Sequence, residues 1–116
     1  MKNIPKNNFD RDELKQWFCF NQKCFYCGEY GFDAFHHIFG RGAEGSNSIL
    51  NACPIHNENC HLYNLQLNRN NIKKELLEKT LKYLLNQGYL LKDLKERDKI
   101  FLSKHIKFYK NISLTN

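Results

Sequence analysis

Residues 24–61 read CFYCGEYGFDAFHHIFGRGAEGSNSILNACPIHNENCH and hold four of the chain's five cysteines and four of its five histidines. Such a concentration marks a metal site. Cys24 and Cys27 stand two residues apart, a knuckle in which two thiolates meet one ion, and Gly28 permits the tight reversal after the second. Cysteine and histidine in pairs, set among turns rich in Gly and Asn, suit a zinc ion with four soft ligands at tetrahedral corners. His36 and His37, side by side, are more than one zinc needs, and the surplus suggests chemistry as well as structure.

Outward from this stretch, 116 residues leave room for one domain, 1–116, with a small core that a metal staple would help to fold. The N-terminus MKNIPKNNFDRDELK has neither the apolar run of a signal peptide nor an Arg/Ser-rich transit pattern. No membrane segment is expected, and a prokaryotic or phage-infected cytoplasm is. In that reducing compartment CxxC pairs read as metal ligands and not disulfides. The formal charge of +6 is uneven: residues 1–67 carry six Lys or Arg against seven Asp or Glu, and residues 68–116 carry twelve against five. A basic region beside a metal site fits a polyanionic partner, although solvated lysine faces on helices give the same excess.

The flanks read as helices. Asp10 and Glu13 form a helix start, and Leu14, Trp17 and Phe18 fall on one face, so a helix within 9–22, running to about Phe20, packs against the site. Cys19 is the odd cysteine, assigned to the core. Residues 34–39 suit a strand, residues 48–52 a second one, and 40–47 an open loop. A helix then begins near Glu58 and carries His61, Leu62 and Leu65. In the basic extension, 68–112, Ile72, Leu76, Leu77, Leu81, Leu84 and Leu85 keep helical spacing over 70–87, with Gly88 as the left-handed stop. Leu94, Phe101, Leu102, His105 and Phe108 do so over 93–109, capped by Asp93. His105 is read as a surface or core residue.

The order of these features resembles the HNH endonuclease family: a CxxC knuckle, a strand ending in HHI, an Asn, then a ligand pair followed at once by His. The resemblance covers about a third of the chain, residues 24–65. It implies an α+β fold with a ββα-metal (His-Me finger) core over 23–67, flanked by an N-terminal helix and two C-terminal helices. With Asn51 as the motif Asn, the structural zinc falls to Cys24, Cys27, His56 and Cys60, with three residues between the last two. A rival register pairs Cys53 with His56 and puts Ser48 in the Asn place and Asn57 in the final His place, without an insertion, but discards Asn51, Cys60 and His61. In the first register Cys53 is a small buried residue near the site.

What the resemblance implies is hydrolysis of phosphodiester bonds in DNA. His37 would be the general base, Asn51 would orient its ring through the carboxamide oxygen, and His36 and His61 would bind a catalytic divalent cation. Many members have Asp where His36 stands, and others begin with His-His. Two imidazoles favour Mn²⁺, Ni²⁺, Co²⁺ or Zn²⁺ in vitro, whereas abundance favours Mg²⁺ or Mn²⁺ in the cell. Arg41, in the glycine loop, and Lys73 and Lys74, on the following helix, are candidate substrate contacts, with Lys79 and Lys82 as a continuation. A homodimer or a phage-packaging partner fits this class of enzyme. The competing reading is a non-catalytic zinc-stabilised module that binds nucleic acid, which leaves His36, His37 and His61 without a task.

Overall fold

In a computed structural model, which describes residues 8–18, 23–40, 45–62, 65–89, 92 and 94–105, the first helix, α1, spans Arg11–Trp17. The Asp10 carboxylate accepts from the Asp12 amide at 2.9 Å, satisfying a donor that the first turn leaves open. Phe18 is already extended, so α1 stops short of Phe20, and Cys19 lies outside the described residues. The expected start is in place; the expected length is not.

Strand β1 (Ala34–His37) pairs antiparallel with β2 (Ala52–Ile55), setting His36 opposite Cys53 and His37 opposite Ala52. The second strand lies later than the 48–52 expected for it. Ser48 instead heads a short 3-10 turn, Ile49–Asn51, its hydroxyl accepting from the Leu50 amide at 3.1 Å. Pro54 argues against a strand at this point, yet its rung tolerates it. The Ile38 amide donates to the Asn51 carbonyl at 3.2 Å, and alternation from that bonded rung makes Phe35–Pro54 a non-bonded one. There the missing N–H faces away from the partner strand, and the outward Pro54 carbonyl accepts from the Phe25 amide at 2.9 Å.

After β2 the chain forms a π-helical turn, Asn57–Leu62, and then a 3-10 turn, Leu65–Asn68, where a regular helix was expected. Asn competes with the helix for backbone groups, and three of the ten residues in NENCHL and the following LQLN tetrad are Asn. Helix α2 (Asn70–Asn86) matches its apolar spacing, with Leu76, Leu77, Leu81 and Leu84 buried and Gly88 left-handed at φ +95°. Helix α3 spans Glu96–His105; Asp93 and residues 106–116 lie outside the described residues. The described chain is thus α+β, with a two-stranded sheet and three α-helices.

A two-stranded sheet is marginal by itself, and here α2 packs along β2 and the 3-10 turns. Phe25, from the knuckle, meets Tyr83 of α2 edge-on at 5.7 Å, and Lys79 donates to the Phe25 carbonyl at 3.0 Å. Polar contacts fix the other flank. Asp98 of α3, fully buried, accepts from Ser48 at 2.6 Å and from Tyr89 at 2.5 Å, and Arg97 joins both Asp98 and the buried Glu13 of α1. No helix among the described residues is long and apolar enough to cross a membrane.

The 45–47 turn touches α3 so closely that only glycine fits. Gly45 has φ +83°, and a Cβ there would stand 3.0 Å from the Phe101 amide nitrogen and 3.1 Å from the Arg97 carbonyl. Both neighbours are backbone and cannot swing aside. Gly45→Ala is therefore expected to lower unfolding free energy by about 2–4 kcal/mol, combining left-handed strain with displacement of the turn, as read by urea denaturation.

Candidate metal centre and adjoining histidine cleft

The knuckle begins where Lys23 bridges Tyr30 and the Cys24 amide donates to the Glu29 carbonyl at 2.8 Å. Within it the Gly28 amide closes on the Cys24 carbonyl at 2.9 Å, and Gly28 takes φ +83°. Cys24 is buried while Cys27 is exposed, so the pair presents one inner and one outer sulfur to the same point. The other two candidates come from the end of β2. His56 follows the strand directly, and the Cys60 amide donates to the His56 carbonyl at 3.2 Å, closing one helical turn. The three-residue gap is therefore a single turn, which puts positions four apart on one face.

As a result one ligand atom each from Cys24, Cys27, His56 and Cys60 lies within 4.8 Å of all the others. These are the four residues that the first register selects. His56 Nδ1 is 3.4 Å from Cys27 Sγ and 3.8 Å from Cys60 Sγ. A tetrahedral zinc with bonds of about 2.0 Å to nitrogen and 2.3 Å to sulfur needs N···S separations of about 3.5 Å, so the group can hold zinc. His56 Nε2 lies 3.0 Å from the Tyr30 carbonyl. Donating there fixes the tautomer that leaves Nδ1 free to ligate.

The thiols respond to their surroundings in opposite ways. Burial resists ionisation of Cys24, but amide donors from Cys27, His56 and Tyr26 outweigh it and bring the thiol down to about 7. Burial and the two neighbouring sulfurs push Cys60 up to about 12. Three thiolates repel one another, and a divalent cation among them turns that repulsion into ligation. Cys53, by contrast, is fully buried, directs its sulfur at the Pro54 carbonyl at 3.8 Å and stands outside the group.

A cleft of about 340 Å³ lies beside this centre, and His36, His37, His61, Gly40 and Lys73 line it with Phe35, Ile38 and Asn68. His36 and His61 meet with ring centroids 4.7 Å apart. His36 is buried, and its Nε2 has no hydrogen-bond partner. Burial first, then the charges of His61, His37 and Lys73, bring it down to about 4, so its imidazole is neutral at physiological pH. His61 Nδ1 lies 3.3 Å from Asn57 Oδ1.

His37 is stacked on Phe9, centroids 4.0 Å apart and planes 14° from parallel. This contact from the start of α1 orients the ring. Asn51 works elsewhere than expected. Its buried carboxamide oxygen accepts from the Phe39 amide at 2.9 Å, and its nitrogen donates to the Phe39 and Ser46 carbonyls at 3.0 and 2.9 Å. It thus pins both sides of the loop that leaves β1, two residues beyond His37. An Asn at that spacing is visible in sequence, but nothing local indicates that it would bind backbone and not imidazole.

Of the substrate candidates, Lys73 reaches the cleft, its Nζ 5.3 Å from the centre of the Phe39 ring. Lys74, one position and about 100° further round α2, lies 4.0 Å from Glu78 on the helix surface. Lys79 serves the knuckle and pairs with Glu75 at 3.3 Å. Arg41 lies outside the described residues. His105 is stacked on Phe39 at 3.7 Å, a packing role. Phe9 and Asn57 are the site residues to which the favoured register gives no role: one lies fifteen residues before the knuckle, and the other passes for a turn asparagine.

Removing a ligand from the four-residue group should cost both metal and fold. Cys60→Ser is expected to lower bound zinc well below one per chain and to unfold the protein at ambient temperature. Cys53→Ser should retain full zinc and lose only about 1–3 kcal/mol for a hydroxyl in a buried site. Zinc content by atomic spectroscopy and thermal melts monitored by circular dichroism separate the two.

No protein-family model matches the chain, and it matches neither a curated protein nor a solved structure.

Proposed function

We propose that the chain is a metal-dependent endonuclease of the HNH type, hydrolysing phosphodiester bonds in DNA around a structural zinc. The observation that carries this reading is the convergence of His36, His37, His61 and Lys73 on one cleft beside a Cys/His group able to hold zinc. A structural zinc module has no use for three imidazoles and an ammonium gathered at a second point. On this reading β1, β2 and the turn after them form the ββα-metal unit, with a π-helical turn in place of a regular helix.

Each residue then meets one difficulty of the reaction. Water is a weak nucleophile, and His37, half-buried with its face against Phe9 and lining the cleft, takes its proton. The diester is anionic, and Lys73 offers a charge to a non-bridging oxygen. His36 and His61 would hold the divalent cation; the unpartnered, buried Nε2 of His36 fits such a ligand, and two imidazoles make Mn²⁺ the better fit of the two ions expected. That ion, when bound, supplies positive charge at the scissile phosphate and its leaving oxygen. Asn51 keeps the loop after His37 in one shape, so the base does not drift from its line of attack.

Supercoiled plasmid incubated with the zinc-loaded protein and Mn²⁺ or Mg²⁺ tests the reading. Nicked or linear product should appear, and His37→Ala should slow it by roughly 10²–10⁴-fold while leaving zinc content and DNA binding intact. A wild-type protein that binds DNA and never nicks it, whichever divalent ion is supplied, is instead a zinc-stabilised binding module.

A further inference from the structure

The turn after β2 carries two kinds of ligand, and one residue links them. Asn57 follows His56 directly, and its amide donates to the Asp33 carboxylate at 2.7 Å. Asp33 is itself tied to the end of β2, its amide donating to the Ile55 carbonyl at 3.2 Å. The backbone of Asn57 is therefore fixed from outside the turn. Its side chain then projects along the turn to His61, four residues on, where Oδ1 lies 3.3 Å from Nδ1.

A carboxamide oxygen only accepts, so this contact requires the proton on Nδ1 and leaves Nε2 as the ring's bare nitrogen. The His61 ring leans on His36, whose buried Nε2 is also without a partner. We propose that Asn57 is the positioning residue for His61, holding it in the Nδ1–H tautomer so that Nε2 is presented to the cleft as a cation ligand. The proposal rests on the nuclease reading for its purpose, but not for its geometry. It gives Asn57 toward His61 the part that the Tyr30 carbonyl plays toward His56: an oxygen on one ring nitrogen frees the other.

The zinc-loaded chain labelled with ¹⁵N decides it by long-range proton–nitrogen spectra of the histidine rings. Wild type should show a protonated Nδ1 and a bare Nε2 on His61. Asn57→Ala should lose that single tautomer and weaken Mn²⁺ binding at the cleft, read by paramagnetic broadening of His36 and His61 signals, by roughly 10–100-fold. Asn57→Asp, which keeps the acceptor oxygen, should restore both. Zinc content checks that the knuckle survives. Should Asn57→Ala fail to retain zinc, the wild-type and Asn57→Asp tautomers still decide, since either ring carrying its proton on Nε2 overturns the proposal. Unchanged tautomer and Mn²⁺ affinity in zinc-replete Asn57→Ala overturn it as well. A wild type that holds the Nδ1–H tautomer and binds Mn²⁺ yet never cuts DNA refutes the nuclease reading alone.

Discussion

Cys60 and His61 are consecutive, and the single turn that carries them sets the rest of the site. That turn is closed by the Cys60 amide on the His56 carbonyl. Closing it puts His56 and Cys60 on one face, toward the knuckle sulfurs, and rotates His61 by about 100° toward His36 and the cleft. Neither site can be moved without the other. A cation among Cys24, Cys27, His56 and Cys60 would therefore do more than staple a small fold: it would fix the angle at which His61 leaves the backbone. With a regular helix replaced by one π-helical turn, few backbone bonds remain to do so by themselves.

Around that turn the protein relies on buried polar side chains where its apolar core is thin. Asn51 satisfies three backbone groups with one carboxamide, and Asp98 gathers Ser48, Tyr89 and Arg97 at a fully buried carboxylate. Burying such groups is costly, and the cost is recovered only when every partner is in place. Networks of this kind tolerate few alternative packings. Here they join α1, the loop after β1, the 3-10 turn and α3, none of which meets the sheet through a broad apolar face. Burial also keeps the Tyr89 hydroxyl protonated, together with the adjacent Asp98 carboxylate, so it remains a donor across the physiological range.

What was legible in the sequence follows from how local each signal is. Asp10 as a cap, the Cys24–Gly28 knuckle, the leucines of α2 and the left-handed Gly88 are set by residues within one turn of each other, and all are found in place. The second strand was misplaced because Pro54 disguises it, and only the pairing with Phe35 shows that its missing N–H faces outward. Glu13 and Arg97 meet across 84 positions, and no spacing rule anticipates such a pair. Asn51 is recognisable by position but not by action, since a carboxamide can accept from imidazole or from backbone and its choice depends on where Phe39 and Ser46 arrive. Histidines were easier: their number in so short a stretch exceeded the needs of one ion, and the two groups into which they separate follow from the turn.

The cleft's charge pattern has its own consequence for the proposed reaction. His36, His37, His61 and Lys73 line it, and no carboxylate does so among the described residues. Their mutual repulsion contributes, after burial, to keeping His36 neutral, which leaves its nitrogen lone pair available. Among the described residues the cleft thus offers a cation nitrogen but no anionic oxygen. A hard ion such as Mg²⁺, which prefers oxygen, must then find it in water or in the phosphate itself. Substrate and cation would thus complete one another's binding sites, each raising the affinity of the other by the same factor. On that reading Lys73, its charge against the Phe39 ring and unmatched by any cleft carboxylate among the described residues, would gain from the phosphate the counter-charge that those side chains do not supply.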